Sequence, residues 1–151
     1  MEAPAVETVL VGVDGSAESM DAAELGVTLA ERYGADLIAL YILDREDVAA
    51  LEAGTTSPDD ISDTTRAFIS DLERLAETQG VTMRSATAYG FSTSQKTVHP
   101  GSVVLDAVED FGADFVVLPR EPLGGTPPQA GTLAKAAEYA LLYASQPILA
   151  V

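Results

Sequence analysis

Few side chains in this sequence are suited to chemistry. The first of them, Asp14, ends the stretch Val9-Leu10-Val11-Gly12-Val13-Asp14-Gly15-Ser16. An acid where an apolar run breaks into Gly-Ser is a ligand candidate; the same residue type in the same place is also an ordinary turn former and helix starter. The second group lies between Pro119 and Thr132. Turn formers are densest there, including Gly124, Gly125 and Gly131, and Arg120 and Lys135 add positive charge within and just beyond it. His99, the single histidine, precedes Pro100, and no Gly-x-Ser-x-Gly elbow accompanies it, so it reads as an exposed loop residue and not as a triad member. With no cysteine there can be no disulfide, thiolate metal site or thiol nucleophile, and one histidine cannot make a histidine cluster. No catalytic residue and no metal ligand is assigned.

The elements that must position these residues follow from the hydrophobic periods. Val9 to Val13 is apolar throughout, the pattern of a strand buried on both faces in the middle of a parallel sheet. From Ala17 to Tyr33 the period becomes helical, with Met20, Ala23, Val27 and Ala30 on one stripe, Ala22, Leu25, Leu29 and Tyr33 beside it, and Gly34 as its stop. Leu37 to Leu43 is a second interior strand, so the first three elements make a right-handed βαβ unit. This places Asp14 at the carboxyl edge of the sheet, where open α/β folds hold ligands. Asp44 to Asp60 is a loose connection, either a lid or a long loop. Ile61, Phe68, Leu72, Leu75 and Ala76 mark a second helix, stopped by Gly80. Val81 to Tyr89 carries Thr82, Arg84 and Thr87, which suits a strand at the sheet margin. A helix with Val104, Ala107, Val108 and Phe111 ends at Gly112, and Phe115 to Leu118 is a fourth, wholly apolar strand. Leu133, Ala136, Ala137, Ala140, Leu141 and Ala144 form the last helix, and Ile148 to Val151 a fifth strand. Met1 to Glu7 has no period and reads as a frayed lead-in.

The 151 residues are expected to form one domain, since no Pro/Gly/Ser-rich linker divides them. Twenty-four acidic residues face eight basic ones, a formal charge of −16, so nucleic acid and anionic membranes are not expected partners. No spanning segment or secretory signal is evident, so the expected location is cytoplasmic. Only two lysines balance the acids, a composition suited to a salt-rich cytosol and consistent with a halophilic source; an ordinary acidic protein is the alternative.

With Val11-Gly12-Val13-Asp14-Gly15-Ser16 at the first turn, Gly34-Ala35-Asp36-Leu37 opening the second strand, Gly112-Ala113-Asp114-Phe115-Val116-Val117 opening the fourth and Pro147-Ile148-Leu149-Ala150-Val151 last, the chain resembles the universal stress protein family over almost its whole length. The resemblance implies a five-stranded parallel sheet in the order 3-2-1-4-5, with helices on both faces and a switch point between strands one and four. It implies a crevice there for ATP or AMP, with magnesium, and adenine and ribose positions at Gly12, Val13, Asp14 and Ile42, to which Leu118 adds an apolar wall. It also implies a homodimer joined along Ile148, Leu149, Ala150 and Val151.

The resemblance breaks on the phosphate side. Nucleotide-binding members end strand four in glycine, place another glycine three residues on, and begin the last helix with Gly-Ser or Gly-Thr. Aligned from strand four, this sequence has Pro119 and Pro122 at the two glycines, and proline has no N–H to give a phosphate. Either Gly124, Gly125, Gly131 and Thr132 build a phosphate loop of another shape, with charge from Arg120 or Lys135, or the loop is shaped by its prolines and holds no ligand. Three functions remain open on these residues. The leading one is a stress-response regulatory module whose crevice holds an adenine nucleotide weakly or has lost it. The others are a slow ATPase or nucleotide hydrolase, and a dimer that works through protein contacts alone.

Overall fold

The run read as a central strand is central. In the computed structural model, which describes residues 5–43, 53–54, 58–89, 100–119 and 132–151, β1 (Thr8–Val13) lies between β2 (Asp36–Leu43) and β4 (Phe115–Leu118). With β3 (Met83–Tyr89) beside β2 and β5 (Ile148–Ala150) beside β4, the order is β3-β2-β1-β4-β5. Every pairing is parallel, with Val11 opposite Ala39 on one side and Val117 on the other.

Strand alternation divides the core into two layers. Val9, Val11, Val13, Leu37, Ala39 and Tyr41 face one side, where α1 (Ala17–Tyr33) and α2 (Pro58–Thr78) supply Ala23, Val27, Leu72 and Ala76. Leu10, Ile38, Leu40, Ile42, Val116 and Leu118 face the other, against Val104 and Val108 of α3 (Pro100–Phe111) and Ala136 and Ala140 of α4 (Thr132–Tyr143). The residues expected as core, Val11, Val13, Leu37, Ile38, Leu40, Val116 and Leu118, are all buried.

Gly34 ends α1 in the left-handed conformation at φ 64°. Its own N–H reaches Glu31 O at 3.2 Å, and the N–H of Ala35 reaches Ala30 O at 2.8 Å. Gly80 and Gly112 close α2 and α3 with the same pair of bonds, so each helix turns at once into the strand that follows.

The structure corrects some details. The helix read from Ile61 begins at Pro58; the side chain of Ile61 lies outside those described. Tyr33 and Leu141, read as part of apolar stripes, are 52% and 58% exposed; Tyr33 is the last residue of α1 and Leu141 lies in the last turn of α4. The lead-in is also tied down in its last residues. Val6 packs on the core, and the N–H groups of Glu7 and Thr8 donate to Asp114 Oδ2 at 2.9 and 3.1 Å. One carboxylate thus holds the start of β1 from the start of β4.

α1 sits close on the sheet at Gly26, where an added Cβ would stand 3.5 Å from both Leu37 Cδ1 and Val11 Cβ. That is ordinary contact, so Gly26→Ala should raise stability by up to about 1 kcal/mol through helix propensity, whereas Gly26→Leu should lower it by about 1–3 kcal/mol through overpacking. Urea midpoints of the two variants check both signs.

Candidate functional site

The sheet order puts the ends of β1 and β4 at the point where connections leave in opposite directions. Register brings Gly12 beside Leu40 and one step beyond Val117, so Gly12, Val13, Ile42 and Leu118 collect at one carboxyl edge with Asp14 just past them. Ile42 and Leu118 turn to the α3/α4 face, where Gly12 adds no side chain between them.

The turn after β1 is closed by its own side chains. Gly15 takes φ 86°, and Ser16 caps α1 by accepting from Ser19 N at 3.1 Å. Asp14 Oδ1 accepts from the Ser16 N–H at 2.9 Å and from the Ser16 hydroxyl. Ser19, fully buried, donates through Oγ to Ser16 O at 2.9 Å and accepts from Asp14 N at 3.3 Å. Tyr41 Oη donates to Asp14 O at 3.2 Å. Asp14 is therefore both turn former and ligand candidate. Its N–H, its carbonyl and Oδ1 are engaged inside the turn, and Oδ2 makes no hydrogen bond to the described residues. Ser19 and Tyr41 are the members that the sequence reading missed. Tyr41 lies in an apolar run and passes for core; the available signal is that a buried phenol needs a partner for its hydroxyl.

On the β4 side of the switch point Pro119 follows the strand and is buried. Val116 N donates to Pro147 O at 3.0 Å and Val151 N to Leu118 O at 2.9 Å, so even positions of β4 face β5 and odd ones face β1. Position 119 falls on the β1 side, and its ring nitrogen has no proton to offer there.

α4 opens at Thr132, and Lys135 lies in its first turn. The side chains of these two are outside those described, as are Arg120, Pro122, Gly124, Gly125, Gly131 and His99 altogether, so no geometry brings them to Asp14. Among the described residues no three metal-ligating side chains come together, and no helix is long and apolar enough to cross a membrane.

An open parallel sheet with this strand order and helices on both faces defines the class of doubly wound α/β folds. Within that class the chain belongs to the universal stress protein family, whose model matches residues 5–151. Solved structures agree on the fold. A universal stress protein in complex with cAMP is 19% identical, with TM-score 0.67 and 98% of each chain covered. UspA from Lactobacillus plantarum is 21% identical, with TM-score 0.68 and 99% of each chain covered. The universal stress protein from Archaeoglobus fulgidus in complex with dAMP is 14% identical, with TM-score 0.63, covering 97% of this chain and 98% of that one. Comparison with curated proteins gives no match.

Proposed function

We propose that the protein is a cytoplasmic stress-response module that takes an adenine nucleotide in the switch-point crevice and holds it by the adenine and ribose end. The observation that carries this reading is the convergence of Gly12, Val13, Asp14, Ile42 and Leu118 at one carboxyl edge, with Asp14 Oδ2 making no bond to the described residues. Relatives of the same fold bound to cAMP and dAMP support it. Pro119 supports the bias toward the nucleoside end, since a donor missing from the crevice weakens a phosphate contact by roughly 1.5–3 kcal/mol. The charge of −16 opposes a triphosphate further unless magnesium or salt screens it.

Thermal shift with ATP, AMP and cyclic AMP in magnesium and high salt, followed by calorimetry, tests this. AMP should bind within about tenfold of ATP, a difference of roughly 1.4 kcal/mol. ATP tighter by a hundredfold would show that the loop from Gly124 to Thr132 cradles phosphates and would overturn the bias. No shift with any of the three would remove the nucleotide.

In the same proposal the protein is a homodimer through β5. A reading as an interaction module without ligand is favoured by one observation: Leu141, Leu142 and Tyr143 at the end of α4 are exposed, Leu142 by 76%. In β5, Ile148, Leu149 and Ala150 are half-buried, and Val151 after it is exposed.

A further inference from the structure

The β1–α1 turn is hydrogen-bonded by a residue 27 positions away in sequence. Tyr41 leaves the middle layer of the core with its hydroxyl on Asp14 O at 3.2 Å, while its ring stands edge-on to Phe68 of α2, centroids 5.8 Å apart at 75°. The ring is thus seated by the core and the hydroxyl is delivered to the turn. Gly15, next to the bonded carbonyl, is pressed from the same side: a Cβ there would lie 2.6 Å from Tyr41 Oη. The phenol occupies the space that any other residue at position 15 would need, and φ 86° already favours glycine.

We infer that Tyr41 is a positioning residue for the crevice: its hydroxyl holds the Asp14 carbonyl, and with it the turn conformation that commits Asp14 Oδ1 to Ser16 and leaves Oδ2 for a ligand. The part concerning ligand rests on the proposed nucleotide site; the part concerning the turn does not. Without the hydroxyl the Asp14-Gly15 peptide can rotate, since glycine places little steric limit on it, and the carboxylate moves with it. The ring of a phenylalanine would keep the contact with Phe68, so packing and hydrogen bonding are separable at this position.

Two measurements made without ligand decide the turn. In Tyr41→Phe the amides of Asp14, Ser16 and Ser19, each bonded inside the turn, should exchange roughly fivefold to tenfold faster, the worth of one hydrogen bond, while amides of β1 and β2 keep their rates. Gly15→Ala should lower the melting temperature much less in the Tyr41→Phe background than in the wild type, because the close approach to Oη is gone and only the backbone strain remains. Calorimetry with AMP then reads the site, where Tyr41→Phe should bind roughly fivefold to tenfold more weakly, with a melting temperature lower by only about 2–4 °C. Unchanged turn exchange together with additive melting shifts would overturn the inference. So would AMP affinity equal to wild type. If the wild type itself binds no AMP, the nucleotide reading fails, and exchange and the double-variant cycle still decide whether Tyr41 sets the turn.

Discussion

Val11→Asp should leave the protein unfolded under conditions where the wild type is native. Val11 is wholly buried in β1, between Ala39 of β2 and Val117 of β4, with Gly26 of α1 against its side chain. Strands on both sides, and helices over the face that it meets, leave water no route to a carboxylate. Among the described residues the buried side chains of that layer are apolar or, as at Tyr41 and Ser19, already carry a partner. An unpaired buried charge costs several kcal/mol even if it escapes by taking up a proton, and the apolar contact of the valine, about 1.5–3 kcal/mol, is lost with it. The sum is comparable to the whole stability of a typical domain, about 5–15 kcal/mol. Val11→Ala, which only shortens the side chain, should cost about 2 kcal/mol and remain folded. Circular dichroism and urea titration of the pair make the measurement. A Val11→Asp protein with the wild-type midpoint would mean that this strand has an open face.

The second large effect concerns assembly. In β5 the N–H of Val151 and the carbonyl of Pro147 bond to β4, so the alternate residues Ile148 and Ala150 direct their backbone groups to the open edge of the sheet. That edge has no charge, bulge or proline to discourage pairing, and exposed Leu141, Leu142 and Tyr143 stand close by in sequence. A second copy, related by a two-fold axis, satisfies the edge with an antiparallel β5. On the proposal made above, light scattering at micromolar concentration gives twice the chain mass. Ala150→Pro, which removes one outward donor and none of the bonds to β4, should then give the single-chain mass with little change in melting temperature. Deleting Ile148 to Val151 should also give the single-chain mass. A wild type that is already monomeric, or an Ala150→Pro protein that stays dimeric, would sink the β5 interface.

Much of the architecture could be read from residue types alone. Buried parallel strands have to be apolar on both faces, so Val9 to Val13, Leu37 to Leu43 and Phe115 to Leu118 stood out as interior, and Thr82, Arg84 and Thr87 marked the margin. Gly34, Gly80 and Gly112 marked the helix ends because the closing residue needs a positive φ, a local demand that depends on nothing distant. The position of Asp14 followed from the same local logic, since a strand that breaks into Gly-Ser before a helix can only place its last residue at the carboxyl edge.

What needed the tertiary structure were partnerships between residues far apart in sequence, because periodicity assigns a side chain to a face and says nothing of what it meets there. It marked Tyr41 as core but not as the partner of the Asp14 carbonyl, and it gave no hint that Asp114 would accept from Glu7 and Thr8, more than a hundred residues earlier. The exposure of Tyr33 and Leu141 makes the same point: a helical stripe sets the angle at which a residue points, while only packing against other elements decides whether it is covered. Strand, helix and turn were therefore settled by local chemistry, and the shape of the site was settled by contacts that exist only once β1, β2 and β4 lie side by side.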